Sequence, residues 1–196
     1  MKKGTIILVL VLVLIGSAII LMVSSYNQMV AKEQGVESQW AQVENVYQRR
    51  ADLIPNLVNT VKGYANHEKE TLTDVVNARS KATSVTIDPS KLNAQNIQQF
   101  QHLQDNLSSA LSKLMVVVER YPDLKANQNF LELQAQLEGT ENRIATERRR
   151  FNEAARTYNT YIKKFPENLF SGLFGFESKA YFKAQEGAEK APKVKF

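Results

Sequence analysis

Apolar residues along the chain fall into three regimes. From Ile6 to Val23 they run without a charge for about 18 residues, enough to cross a hydrocarbon core of roughly 30 Å as a helix. From Tyr26 to Phe165 they recur at steps of three and four, the spacing of one helix face. After Pro166 they cluster in an aromatic-rich tail. No stretch alternates with period two over a useful length. The expected fold is therefore all-α: an N-terminal transmembrane helix followed by a long antiparallel helical bundle. The divisions are 1–25 for the anchor, 26–165 for the bundle and 166–196 for the tail.

The apolar run continues through Ile19-Ile20-Leu21-Met22-Val23, past the small residues Gly16-Ser17-Ala18. A secretory apolar core is usually shorter and ends in small residues, so an uncleaved anchor is favoured over a cleaved signal peptide. Lys2, Lys3 and the α-amino group flank one side, whereas Ser24 to Gln39 carries only Lys32. That lysine and arginine count places the N-terminus in the cytoplasm and the bulk of the chain outside.

Within the body, Met29, Val36, Trp40, Val43 and Tyr47 mark a first soluble helix continuing out of the anchor. Ile54, Leu57, Val61, Tyr64, Leu72, Val75 and Ala78 mark a second, fading near Ala82. Asp88-Pro89 reads as an N-cap with proline at the first helical position. Phe100, Leu103, Leu107, Ala110, Leu114, Val117 and Tyr121 form a third stripe, stopped by Pro122. The last runs from Phe130 through Leu133, Leu137, Thr140, Ile144, Glu147, Phe151, Ala154, Tyr158 and Tyr161 to Phe165.

The first two stripes meet at Arg49, Arg50, Asp52 and Pro55. Asp52 suits an N-cap, with Pro55 in the first helical turn, where its missing N–H costs nothing. A turn there yields four helices, favoured over the alternative of three with a kink at Pro55. Helices of roughly 25 to 40 residues make such a bundle about 40 to 60 Å long. With the turn, the chain runs out, back, out and back, and the tail meets the membrane. With the kink, the tail ends far from it.

Thr140 and Glu147 occupy inward positions of the last stripe, near Glu141, Arg143 and Arg148-Arg149-Arg150. A buried carboxylate needs a partner, which these arginines or Arg49 and Arg50 could supply. Drift of the helix by about 20° per heptad, carrying Glu147 to solvent, is the slightly favoured reading.

Composition narrows the chemistry. There is no cysteine, which removes disulfides, zinc thiolates and a thiol nucleophile. The net charge of +5 is too small and too evenly spread to argue for nucleic acid. His67 and His102 stand far apart on different expected helices, with no other His or Cys nearby, and no H-E-x-x-H pattern occurs. No phosphate loop or nucleophile elbow occurs. His67-Glu68-Lys69-Glu70-Thr71-Leu72 resembles the phospho-accepting box of sensor kinases but lacks its proline, and nothing downstream could bind ATP. Catalytic residues, cofactors, metals and a small-molecule substrate are therefore not expected.

Several motifs are specific. Trp40-Ala41-Gln42-Val43, the stretch from Arg49 through Val58 with Val61-Lys62-Gly63-Tyr64-Ala65, and Leu137-Glu138-Gly139-Thr140-Glu141-Asn142-Arg143-Ile144 closely resemble the LemA family of bacterial proteins. So do Tyr158-Asn159, Phe165-Pro166, Leu173-Phe174-Gly175-Phe176 and Tyr181-Phe182. The likeness covers nearly the whole chain. It implies a single transmembrane helix in a bacterial cytoplasmic membrane, a helical bundle and no established enzymatic activity. It also implies an external N-terminus, opposite to the charge count.

In the tail, Leu169, Phe170, Leu173, Phe174 and Phe176 either cap the bundle end or contact the membrane or a partner. The functional expectation is a membrane-anchored scaffold or adaptor that binds protein partners or self-associates. The alternative is a membrane-tethered sensor, which requires a polar pocket near Arg49, Arg50, Asp52 and Glu147.

Overall fold

Helix α1 (Lys3–Tyr64) runs for 62 residues in the computed structural model, about 93 Å at 1.5 Å per residue. The structure describes residues 3–65 and 67–183. Met1, Lys2 and the Lys/Glu-rich end from residue 184 lie outside it, and so do those parts of the expected anchor and tail. The remaining helices are α2 (Lys69–Thr83), α3 (Ala94–Val118), α4 (Pro122–Lys125), α5 (Gln128–Lys163) and α6 (Glu167–Phe174). No strand occurs among the described residues.

The most apolar stretch of α1 lies entirely outside the packed body and is long and apolar enough to span a membrane. From Ser25 onward the same helix becomes the central post. α5 packs along it in the opposite direction, and α2 and α3 pair beside it.

The turn expected at Asp52 is absent. α1 continues through Arg49, Arg50, Asp52 and Pro55, and the chain reverses only after Tyr64. Asp52 caps nothing; its carboxylate accepts from Gln48 Nε2 of the preceding turn at 2.7 Å. Pro55 is thus interior, where its ring removes the N–H that would bond the carbonyl of Ala51. Arg79 of α2 fills the gap, its Nε donating to the Ala51 oxygen at 2.7 Å. The buried face explains why the helix runs on. Val36, Trp40, Val43, Tyr47, Arg50, Ile54, Leu57 and Val61 are all buried, stepping by four and three without a slip across the proline.

Continuity through Pro55 does not strand the tail. Reversal between the end of α1 at Tyr64 and the start of α2 at Lys69 sends α2 back, and α3 and α5 follow out and back. At the distal end Tyr121 Oη and Arg120 both bond Glu68, at 3.0 Å each, and Asn127 donates to Tyr64 Oη at 2.9 Å. At the anchor end the Tyr26 ring meets Phe174 edge-on at 5.1 Å.

Other boundaries shift for local reasons. Asp88 does cap, but only the single 3-10 turn Pro89–Lys91, accepting from Ser90 N. α3 starts at Ala94, where Asn93 accepts from Asn96 N. Pro122 opens α4, with three residues between it and the end of α3. In α3 the inward residue is Gln104, with Leu103 half-buried. Late in α5 the buried face drifts one position, from Ala154 and Tyr161 to Ala155 and Ile162, as expected for a helix of about 3.6 residues per turn set against a heptad repeat.

Two apolar clusters result. One, toward the anchor, centres on Trp40, Phe100, Phe151 and Phe182. The other, toward the distal end, contains Ile54, Leu57, Leu107, Leu114 and Phe130.

The proline device is testable by a double-mutant cycle. Arg79→Ala should destabilise by about 1–3 kcal/mol, the cost of an unsatisfied buried carbonyl. Pro55→Ala alone should stabilise, by up to about 3 kcal/mol. In the Pro55→Ala background the Arg79 substitution should cost much less, because residue 55 then donates to Ala51. Urea melts followed by circular dichroism in detergent would show this, and equal costs in both backgrounds would refute it.

Candidate functional site: a polar waist and a returning strap

Between the two apolar clusters lies one polar layer. Arg50 occupies an inward rung of the α1 ladder and is only 2% exposed. Its Nη1 donates to Ser108 Oγ and Glu141 Oε2, both at 2.9 Å. Its Nη2 donates to Gln104 Oε1 at 2.7 Å and to the Gln104 carbonyl at 3.3 Å. The guanidinium also lies 5.1 Å from the Tyr47 ring centroid. Gln104, itself buried, passes the chain of bonds on, its Nε2 donating to the Ala82 carbonyl at 3.1 Å. Four helices thus meet through one cation. A planar fork with several donors can do this, whereas a lysine ammonium cannot span the same acceptors. Burial pushes the Tyr47 phenol up, against the pull of Arg148 and Arg50, so the ring stays a neutral face for the cation.

The expected junction residues therefore separate. Arg49 and Asp52 point outward, Pro55 lies on the exposed side, and Arg50 alone enters the interior. The expected polar cluster of α5 also divides. Thr140 is buried and bonds back to the Gln136 carbonyl. Glu141 is half-exposed and is the carboxylate that Arg50 reaches. Arg143 is exposed. Glu147 does not swing free into solvent. Its side chain is 14% exposed, pairs with Arg150 at 2.8 Å and accepts from Gln39 at 3.1 Å.

The tail splits just as sharply. Gly175, at φ 76°, takes the left-handed conformation that glycine adopts without strain. Phe176 N–H then donates back to the Ser171 carbonyl at 2.9 Å, closing α6. Beyond it an extended strap, 176–183, lies along α3 and α5. Three side-chain amides grip its backbone from both sides. Asn159 Oδ1 accepts from Lys179 N at 2.9 Å while its Nδ2 donates to Lys179 O at 2.8 Å. Asn152 does the same for Phe182 at 2.9 and 3.0 Å, and Gln101 for Lys183 at 3.3 and 3.1 Å. Phe182 enters the core, stacked on Trp40 at 5.9 Å, with Arg148 above its ring at 4.8 Å. Buried Lys179 pairs with Glu33 of α1 at 2.6 Å.

Of the five tail residues singled out in the sequence, Phe170 and Phe176 pack on the core, half-buried. Leu169, Leu173 and Phe174 stay exposed. Sequence reasoning missed Gln104, Asn152, Asn159 and Lys179. Their signal is position: each polar residue sits next to, or in, an apolar stripe.

Chemically the layer is a tie of hydrogen bonds between helices, in which Arg50 Nε is left buried without a partner among the described residues. The adjoining cavity, lined by Glu44, Tyr47, Thr83, Thr86 and Gln104 among others, holds about 110 Å³. Ligand sites usually need about 300 Å³ or more; a larger cleft of about 840 Å³ runs along α5 and the strap, lined by Glu141, Arg148, Arg149, Asn152 and Arg156 among others. Among the described residues no group of three or more His, Asp or Glu could hold a metal ion. His67 lies in the α1–α2 turn rather than on a helix, and exposed His102 meets only Asn106.

Four substitutions separate the parts. Arg50→Met should lower stability by about 1–3 kcal/mol through the orphaned Gln104, and Arg50→Lys should recover little of it. Glu141→Ala removes the carboxylate paired with buried Arg50 and should cost about 1–3 kcal/mol. Phe182→Ala should cost about 3–5 kcal/mol by opening a cavity beside Trp40; proteolysis of the strap at native temperature would report its release.

Comparison with known proteins agrees with this architecture. The profile of the LemA family matches residues 39–196. "Protein LemA" of Metamycoplasma hominis is 24% identical over 172 residues, 88% of this chain and 75% of that protein. "Magnetosome protein MamQ 2" of Paramagnetospirillum magneticum is 37% identical over 81 residues, 41% of this chain and 30% of that protein. "Magnetosome protein MamQ" of Magnetospirillum gryphiswaldense is 36% identical over 74 residues, 38% and 27% of the two chains. With the family profile covering the whole of the packed body beyond Ser38, the chain belongs to the LemA family.

Proposed function

We propose that the protein is a membrane-anchored helical scaffold that binds protein partners or a second copy of itself and does no catalysis. The observation that carries this reading is α1. One uninterrupted helix joins a wholly exposed apolar segment to the central post of the body. No hinge intervenes, so whatever docks on the body is held at a set distance from the bilayer. The polar layer supports the same reading: most of its hydrogen-bonding groups join one helix to another. The anchor is single-pass in a bacterial cytoplasmic membrane, with the body on its outer side, as the flanking lysines favour.

Two measurements test the proposal. In-membrane crosslinking of the full-length chain should give adducts of higher mass; recovery of monomer alone, with the tail intact, would overturn the scaffold reading. Because the chain has no cysteine, Ser84→Cys is an unambiguous probe of sidedness, and Ser84 is exposed between α2 and the following 3-10 turn. It should react with an impermeant maleimide in intact cells or spheroplasts. Reaction only after lysis would put the body in the cytoplasm.

A further inference from the structure

Beyond the anchor, large apolar side chains reach the surface of the body mostly singly, as at Tyr64, Val76, Val116 and Leu131. Scattered exposure of that kind is ordinary. One place differs. Leu169 and Leu173 stand four apart on α6, and Phe165 lies in the turn just before it. These three are 60%, 71% and 79% exposed. The opposite side of the same short helix is committed to the body, with Phe170 on the core and Ser171 Oγ donating to the Ile162 carbonyl at 3.0 Å.

The position of this edge is set by its packing on α1. Phe174 and Phe176 meet the Tyr26 ring at 5.1 and 5.7 Å. Tyr26 lies three residues past Val23, where the apolar run ends, a rise of about 4.5 Å. That height is within the headgroup and upper acyl region of a bilayer crossed by residues 6–23. Exposed Lys163 and Lys164 immediately precede Phe165, so the apolar edge is bordered by two cations. Apolar residues buried at the acyl boundary with lysines beside the phosphates describe an interfacial helix.

We propose that the α5–α6 corner is a second membrane contact. Phe165, Leu169 and Leu173 insert at the interface of the leaflet that α1 leaves, and Lys163 and Lys164 sit against anionic headgroups. This rests on the anchor reading of α1 and adds to it. One transmembrane helix alone leaves the body free to tilt and rotate about its axis, whereas two contacts fix which face of the body looks along the membrane.

The test uses the full-length chain in vesicles of phosphatidylethanolamine and phosphatidylglycerol. Single variants Leu169→Cys and Leu173→Cys carry an environment-sensitive fluorophore, with Ile15→Cys and Ser84→Cys as membrane and solvent references. Brominated lipid should quench probes at 169 and 173 at least about two-fold more than at 84. The pair Lys163→Gln/Lys164→Gln should reduce that quenching while leaving position 15 unchanged. Probes at 169 and 173 that behave like position 84, with position 15 quenched, would overturn the second contact and leave the anchor standing. Probes shielded from water yet untouched by brominated lipid would assign the edge to a protein partner and also overturn it. An unquenched position 15 would remove the anchor reading and this one together. Unchanged quenching in the double lysine variant would overturn the role given to the lysines.

Discussion

Two consecutive residues of α1 carry the joint on which the body depends. Arg50 sends its guanidinium inward to Gln104, Ser108 and Glu141, and Ala51 offers its carbonyl to Arg79. Between them they tie α1 to α2, α3 and α5 at one level. The tie is demanding because Arg50 has apolar clusters above and below it. Sliding a neighbouring helix by one turn, about 5.4 Å, would leave a buried cation without acceptors, which costs several kcal/mol. Hydrophobic rungs tolerate such slips far better. The polar waist therefore selects the register, while the apolar clusters supply the bulk of the stabilisation.

Continuity of α1 follows from the same joint. A proline in a helix interior normally ends or bends the helix, yet here the neighbouring rungs on both sides are buried, and an arginine from α2 takes over the missing donor's role. The helix that leaves the apolar segment thus reaches the far end of the body unbroken. Reversal is postponed until after Tyr64, and three further legs bring the chain back beside Tyr26.

The strap shows a different solution to packing an extended segment without a sheet. Its backbone groups would be unsatisfied against helices, whose own amides are already paired. Asn159, Asn152 and Gln101 replace a neighbouring strand, each presenting one donor and one acceptor to a single strap residue. Phe182 then adds the apolar contribution by stacking on Trp40. The part of the tail that the strap does not bury, on α6, is left facing outward next to the anchor.

The apolar run, the helical class and the family were all legible in the order of residues, because each rests on periodicity, length or an uninterrupted motif. The continuity of α1 was legible only as the less favoured alternative, a helix passing through Pro55. Stepping three from Tyr47 lands on Arg50, and four more on Ile54, so the heptad never breaks; the cation interrupts it only in name. Arg50's destination was not legible, since nothing local says that Gln104 and Glu141 lie at its level. Nor was the fate of Pro55, because the donor that rescues Ala51 stands 28 residues away. The division of the tail was likewise hidden. Phe170, Phe176 and Phe182 look like Leu169 and Leu173 in sequence, and only the docking of α6 on Tyr26 decides which of them meet the core. Local order specified the helices and their apolar faces. Which polar atoms would be buried, and with whom, depended on distant segments arriving at the same level, and that only the packed structure decides.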